Sequence, residues 1–149
     1  MPHTPEIAIG PATGADVEAI KRLLVEASLP IDGVDEHWKT FIVAKEGERL
    51  IACGGAEAYP VVALIRSVAV HPDYRSLGLG RRIVRNLLDR LASLGLREFY
   101  LLTTTAEEYF IRRGFTKIDR DEIHPQLLAS KELDVCPSSA VCMRLVMLT

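Results

Sequence analysis

Between residues 67 and 82 the chain reads Ser67-Val68-Ala69-Val70-His71-Pro72-Asp73-Tyr74-Arg75-Ser76-Leu77-Gly78-Leu79-Gly80-Arg81-Arg82. An apolar run enters a polar turn, passes two glycines and continues into a helix-forming segment. Gly78 and Gly80 accept backbone angles and close approaches that other residues resist, so N–H groups of the loop and first helical turn can converge on one anion. The helix dipole adds to that attraction, and Arg75, Arg81 and Arg82 supply formal charge. The chemistry implied is phosphate binding. The Walker loop is excluded because no Gly-Lys-Ser/Thr ending is present, and the dinucleotide fingerprint because Ile83 stands where its third glycine belongs. The alternative is a glycine-bearing turn that binds nothing.

A second group lies upstream. Arg66 and Ser67 interrupt an almost continuously apolar run, residues 61–70, and polar groups inside a buried strand need partners or a cavity. Both are candidate substrate-binding residues, since a guanidinium suits bidentate recognition of a carboxylate. Glu57 ends the small-residue run of residues 52–58 and is the first candidate for a general base. A solvent-facing carboxylate and an internal ion pair with Arg66 are the competing readings.

Cys53, Cys136 and Cys142 show no Cys-x-x-Cys spacing and His3, His37, His71 and His124 no metal-ligand spacing, so no metal site is expected. Soft thiolates could suit trivalent arsenic. Buried core thiols are the plainer reading.

The elements that position these groups follow from periodicity. Ile7-Ala8-Ile9 predicts a strand, and Val17, Ile20, Leu23, Leu24 and Ala27 recur at the three- and four-residue steps of a helix face. Asp16 is placed to cap or charge the start of that helix. Residues 29–37, marked by Pro30 and Gly33, read as a loop that contacts substrate. Residues 41–44 and 50–58 form an antiparallel pair turning at Gly47, and residues 61–70 form a strand buried on both faces. Ile83, Val84, Leu87, Leu88, Leu91 and Leu94 make the clearest helical stripe in the chain, with Gly95 at its end. Strands at 99–103, 115–118 and 141–148 and a helix at 106–113 complete a mixed α/β sheet with flanking helices. An exposed final strand would be an edge that benefits from pairing, the basis for expecting a homodimer.

With 149 residues, 48% hydrophobic content and a formal net charge of −2, the chain is read as one domain over residues 1–149. A chain of this size buries roughly 70% of its unfolded surface, enough for a core without disulfides or metal. The charge balance disfavours bulk nucleic-acid binding. No stretch approaches the ~20 apolar residues of a membrane-spanning helix, and no signal-peptide run is present, so a cytoplasmic protein is expected.

Arg75-x-x-Gly78-x-Gly80 after the Val68-Ala69-Val70-His71-Pro72 strand end, with Ala106 and Gly114-Phe115 downstream, resembles the GNAT superfamily of acyl-CoA-dependent N-acyltransferases across essentially the whole chain. The resemblance implies a sheet whose fourth and fifth strands splay, and acetyl-CoA as cosubstrate. Arg75, Ser76, Leu77, Gly78, Leu79, Gly80 and Arg81 would hold the pyrophosphate. Val68, Ala69 and Val70 would pair with the pantetheine arm, with residues 102–104 across the slot. It further implies direct attack of an amine on the thioester, with strand amides polarising the carbonyl.

Many members carry a tyrosine four residues before the Gly-Phe pair to protonate the departing thiolate; here that position is Phe110. Tyr109 is one residue away, about 100° around a helix, and is expected to face elsewhere. Thr103, Thr104 or water then serves as proton donor.

Leu64-x-Arg66-Ser67-x-Ala69-Val70, Leu101-Leu102-Thr103-Thr104, Tyr109-Phe110-x-x-x-Gly114-Phe115 and Cys136-Pro137-x-Ser139-Ala140-x-x-Met143 resemble two narrower groups. These are the acetyltransferase domain of N-acetylglutamate synthases and the small acetyltransferases associated with arsenic resistance. Thr105 stands where the synthase pattern leads one to expect arginine. The resemblance therefore implies a small-molecule amine acceptor, amino-acid-like if Arg66 binds its carboxylate. Acetylation of a protein N-terminus or lysine and a catalytically silent acyl-CoA-binding module are the alternatives.

Overall fold

The computed structural model describes residues 6–135 and 139–147. Twelve principal elements follow one another: β1 (Ile7–Pro11), α1 (Val17–Glu26), α2 (Val34–His37), β2 (Ile42–Glu46), β3 (Arg49–Ala58), β4 (Val62–Val70), α3 (Leu79–Ser93), β5 (Glu98–Thr103), α4 (Glu107–Ile111), β6 (Thr116–Ile118), α5 (Lys131–Val135) and β7 (Val141–Val146). Short 3-10 turns fill several connections. The seven strands form one sheet in the order β1-β2-β3-β4-β5-β7-β6. Only the β4–β5 pair is parallel. A mixed α/β sheet with flanking helices is therefore what the chain forms.

The final strand is not an edge. β7 lies between β5 and β6, so the edges are β1 and the three-residue β6, and the edge argument for dimerisation falls. An exposed final strand is the expectation for residues 141–148. Antiparallel pairing to both β5 and β6 places it inside instead.

Two layers of helix cover the sheet. On one face α3 buries Ile83, Val84, Leu87 and Leu91 against Ile42, Ala52, Ala56, Ile65 and Phe99. On the other, Ile20, Leu23 and Leu24 of α1 pack with Phe41, Val43, Cys53 and Ala69. Burying each Leu or Ile side chain stabilises by roughly 1.5–3 kcal/mol. The small residues of β3 have a steric cause. A Cβ at Gly54 would lie 2.6 Å from Ile83 Cγ2, and one at Gly55 would lie 2.1–2.3 Å from the Phe41 ring. Helix and ring thus press directly on the β3 backbone from opposite sides.

Asp16 precedes α1, but it caps the preceding turn rather than the helix: its Oδ2 accepts from the Thr13 N–H at 2.8 Å, and its Oδ1 pairs with Lys45 Nζ at 2.6 Å. Within residues 29–37, expected as loop, α2 forms one short turn entered through Gly33 in the left-handed conformation. Among the described residues no helix is long and apolar enough to cross a membrane.

Candidate active site

β4 and β5 pair only through Val62–Leu64 against Glu98–Tyr100. Past that point they separate, and a cavity of about 720 Å³ opens between Ile65–Val70 of one strand and Leu101–Thr103 of the other. Just past the point of divergence β4 carries a β-bulge against β3. Register shifts between Cys53 and Gly55 of β3, whose partners are Ala69 and Arg66 of β4, and Ser67 holds a left-handed φ of 60°. An extra residue in one strand bends it and re-aims its side chains. Ile65 and Ala69, four apart and so expected on one face, consequently pack on opposite sides of the sheet.

The bulge is tied down from beneath. The buried Cys53 thiol donates to the Ser67 carbonyl at 3.2 Å. Burial pushes that thiol up to about 12, with the strand backbone at Ala69 acting weakly the other way. Cys53 is a structural donor. Cys142 is also free and buried, farther along the same face of the sheet with Ile118 and Leu127. The two thiols belong to separate clusters. Cys136 and His3 lie outside the described residues.

At one end of the cavity lie Arg75, Ser76, Gly78, Leu79, Gly80 and Arg81. Gly78 precedes α3 in the left-handed conformation, and no side chain caps the helix. First-turn amides without intrahelical partners therefore face this end, where the macrodipole favours negative charge. A Cβ at Gly78 would meet nothing within 4 Å, so the loop stands open to a ligand. Arg75 Nε reaches the Val70 carbonyl at 3.4 Å, linking loop and strand. Leu77 points to solvent and Arg82 is exposed; neither lines the cavity. Val68, Ala69 and Val70 form one wall, Leu102, Thr103 and Thr105 the opposite one, and Thr104 is not among the lining residues. Thr103 Oγ1 accepts from the Ala106 N–H at 2.9 Å, leaving its own proton free to donate into the cavity.

Tyr109 does not face elsewhere. It lines the cavity together with its neighbour Phe110, so the slot takes in two successive positions of α4. Phe110 meets the Tyr109 ring edge-on at 5.1 Å, and the Arg113 guanidinium lies 4.4 Å from its centroid. The Tyr109 hydroxyl is buried and has no hydrogen-bond partner among the described residues.

The other end is built around Arg66, whose side chain is fully buried. Its Nε donates to Ser67 Oγ at 2.9 Å and its Nη1 to Glu57 Oε2 at 2.7 Å. Its Nη2 lies 3.1 Å from Glu132 Oε2 and 3.5 Å from the Pro30 carbonyl. Glu57 pairs across the sheet with Leu64, two residues from Arg66, so the two side chains are diagonal neighbours on one face. Glu57 Oε1 accepts from Tyr59 Oη at 2.7 Å, and His37 Nε2 lies 3.9 Å away.

Burial pulls the Glu57 carboxyl upward, but hydrogen bonds from Ser130, Tyr59 and Arg66 and the His37 ring outweigh it and hold it below its ordinary value. The same contact, with burial as the larger cause, pushes Tyr59 up to about 12. Arg66, Ser67 and Glu132 line the cavity; Glu57 does not. Gly33 is required here, since its φ is 87° and a Cβ would fall 2.7 Å from Arg66 Nη1.

His37 falls in the segment 29–37, and Ser130 and Glu132 in the segment 120–135, the two variable loops expected to line the acceptor site, although none of the three is singled out by its own sequence signal, and Tyr59 lies outside both. Tyr59 is two residues from Glu57 and shares its strand face, a legible signal. Glu132 lies in a segment without periodicity, and nothing local points to it.

Comparison with known proteins places this geometry. Residues 17–117 match the model described as the acetyltransferase (GNAT) family. An uncharacterised N-acetyltransferase of Chlorobaculum tepidum is 29% identical over 141 residues, covering 89% of each chain. The amino-acid acetyltransferase of Salmonella typhimurium is 36% identical over 83 residues, 53% of this chain but only 18% of that protein. Among solved structures, N-acetylglutamate synthase from Neisseria gonorrhoeae, complexed with coenzyme A and N-acetyl-glutamate, superposes with a TM-score of 0.81 at 19% identity, over 99% of this chain and 36% of that one. Rv2747 from Mycobacterium tuberculosis, in complex with CoA, gives 0.79 at 25% identity over 95% and 99%. With the family match spanning most of the chain and the split β4–β5 pair beside an uncapped α3, the chain belongs to the GNAT family of acetyltransferases.

Proposed function

We propose that this protein transfers the acetyl group of acetyl-CoA to the amino group of a small, amino-acid-like molecule. The observation that carries the reading is the continuity of one cavity from the α3 amides, through the β4–β5 split, to Arg66 and Glu132. A phosphate-bearing cosubstrate suits the first end, where Arg75, Arg81 and the uncapped amides converge. A thioester arm suits the middle, where the edge of β4 that faces β5 lacks a strand partner beyond Leu64 and its backbone is free to pair with a ligand. A polar acceptor suits the far end. CoA in the related structures agrees with this assignment.

In this reading the chain's main contribution is positioning, which lowers the barrier by fixing two reactants in attack geometry. The amine attacks the thioester carbonyl, the carbon–sulfur bond breaks, and the amine proton leaves to water. Strand amides along Val68–Val70 offer hydrogen bonds to the developing oxyanion. Thr103, with its hydroxyl proton uncommitted, is the side-chain donor proposed for the thiolate. Both oxygens of Glu57 are engaged, by Tyr59 and Arg66, and Glu57 does not line the cavity, which supports its role as the partner that orients Arg66 over a role as base.

The test is steady-state release of CoA thiol with a panel of amino acids, simple amines and peptides, alongside calorimetric titration with acetyl-CoA. Turnover on amino acids sustains the proposal. Turnover on peptides alone would move the acceptor to protein termini or lysines, binding without turnover would leave an acyl-CoA-binding module, and no binding would reduce the glycine loop to a structural turn.

A further inference from the structure

Tyr109 on α4 and Arg113 in the turn that ends it stand four residues apart, and both line the cavity. Their polar atoms are uncommitted. Tyr109 Oη and Arg113 Nε are each buried without a hydrogen-bond partner, and among the described residues no carboxylate pairs with Arg113. The stacking of the two side chains does not replace those bonds. A guanidinium 4.4 Å from a ring centroid uses its face, while its N–H groups lie in its plane and still need acceptors. A buried donor left without an acceptor is costly, and native structures hold few. Two of them side by side on one cavity wall point to a ligand rather than to the fold.

Their position identifies the kind of ligand. Gly80 is the second residue of α3, and a Cβ there would fall 3.0 Å from Tyr109 Oη, so the phenol lies against the helix turn whose amides no side chain caps. Arg75 and Arg81 line the same end of the cavity, whereas Glu132, the one carboxylate among the lining residues, lies at the far end beside Arg66. Donors therefore meet this end from two sides: backbone amides of α3 from one, a phenol and a guanidinium from the other. A carboxylate presents two oxygens in one plane. A phosphoryl group presents three, spread in space, and suits donors that converge from opposite walls.

We propose that Tyr109 and Arg113 form the second wall of the phosphate site, donating to a phosphoryl oxygen of the acyl-CoA cosubstrate opposite the α3 amides. The inference rests on the assignment of this end to the cosubstrate under the proposed function, and it adds two contact residues that the glycine loop does not contain. The Tyr109 ring carries the guanidinium on its face and offers its own hydroxyl beside it. Arg113 thereby becomes a cosubstrate-specificity residue, favouring a phosphorylated carrier over a bare pantetheine thioester. CoA bears phosphate as a diphosphate and as a ribose 3′-monoester; both offer the pair the same chemistry, and the probes below separate them.

The experiment is calorimetric titration without acceptor, comparing wild type with Arg113→Gln, Arg113→Lys and Tyr109→Phe, with the thermal transition as the check on folding. The probes are CoA, 3′-dephospho-CoA and ADP, the last carrying a diphosphate without the pantetheine arm and read by competition with CoA. Arg113→Gln should weaken CoA binding by about tenfold or more, the scale of one charge-assisted hydrogen bond. Tyr109→Phe should weaken it several-fold, and Arg113→Lys less than Arg113→Gln. A loss shared by all three probes assigns the pair to the diphosphate, a loss confined to CoA assigns it to the 3′-phosphate, and either sustains the proposal. A loss for CoA and 3′-dephospho-CoA with ADP unchanged would put the pair on the pantetheine arm and overturn it. CoA affinity within about twofold of wild type in every variant would overturn it as well. Because no acceptor is present, a lack of turnover on any amine bears on the transferase reading and not on this one, whereas wild-type protein that binds no CoA would overturn both.

Discussion

The hydroxyl of Tyr109 occupies the space that a side chain on residue 80 would need: a Cβ there would lie 3.0 Å from Tyr109 Oη and 3.7 Å from Val70 Cγ2. Gly80 is thus confined by the cavity wall as well as by the loop. Gly80→Val should push the Tyr109 ring and the start of α3 apart. The expected result is acetyl-CoA affinity reduced by about tenfold or more, with far-UV circular dichroism unchanged. Wild-type affinity in this variant would sink the phosphate assignment for the loop.

Tyr109→Phe separates a structural hydroxyl from one reserved for a ligand. In the free protein the group is buried without a partner among the described residues, so it contributes no hydrogen bond to stability. Removing an unsatisfied buried polar group is neutral or stabilising by about 1 kcal/mol. The melting temperature should therefore hold or rise by roughly 2–4 °C, while acetyl-CoA affinity falls several-fold. A drop in melting temperature with unchanged affinity would mark the hydroxyl as structural.

Glu57 predicts a pH dependence of stability. Its carboxyl is held below the ordinary value of 4.5, so the native state favours the ionised form more than the unfolded chain does. That stability is fully present above pH 4.5 and is lost as pH falls through the lower native value. Glu57→Gln should cost on the order of 1–3 kcal/mol at neutral pH and flatten the acid limb in denaturant titrations from pH 3 to 7. If Glu57 only orients Arg66, the variant raises the acceptor KM with an unchanged pH–rate profile. A profile whose acid limb shifts would restore Glu57 as the base.

Cys53 should be chemically silent in the folded protein. Burial raises the thiol to about 12, leaving essentially no thiolate at neutral pH. Iodoacetamide at pH 8 should modify Cys53 only after unfolding, as read by mass spectrometry. Cys53→Ala removes the donor to the Ser67 carbonyl and should cost roughly 1–3 kcal/mol; Cys53→Ser, which keeps a donor, should cost less. Equal losses in the two variants would show that the hydrogen bond at the bulge is not what matters.

Gly55→Ala should prevent folding or lower the melting temperature by more than any variant above. Its Cβ would enter the Phe41 ring, and neither the β3 backbone nor a fully buried ring can give way cheaply. Phe41→Leu in the same background should recover part of the loss. No recovery would assign the damage to the strand itself.

Local order in the sequence determined the elements. Helical spacing from Ile83 to Leu91, the apolar run through residues 62–70 and the paired glycines at 78 and 80 each carry their structure within one contiguous segment. The anion-facing end of the site was legible for the same reason: the strand end, the loop and the first turn of α3 that build it are continuous in sequence.

The acceptor end was decided by tertiary structure alone. Arg66 meets Glu57 through cross-strand register, Pro30 and Gly33 through a loop packed over β4, and Glu132 through a short helix 66 residues downstream. The bulge at Ser67 reverses which face each later residue of β4 presents, and the cavity is wide enough at α4 to be lined by both Tyr109 and Phe110. The insertion of β7 between β5 and β6 is likewise invisible to a strand's own residues. Periodicity reports only which way a residue faces along its own element; distances between elements depend on register, bulges and packing that no single segment encodes.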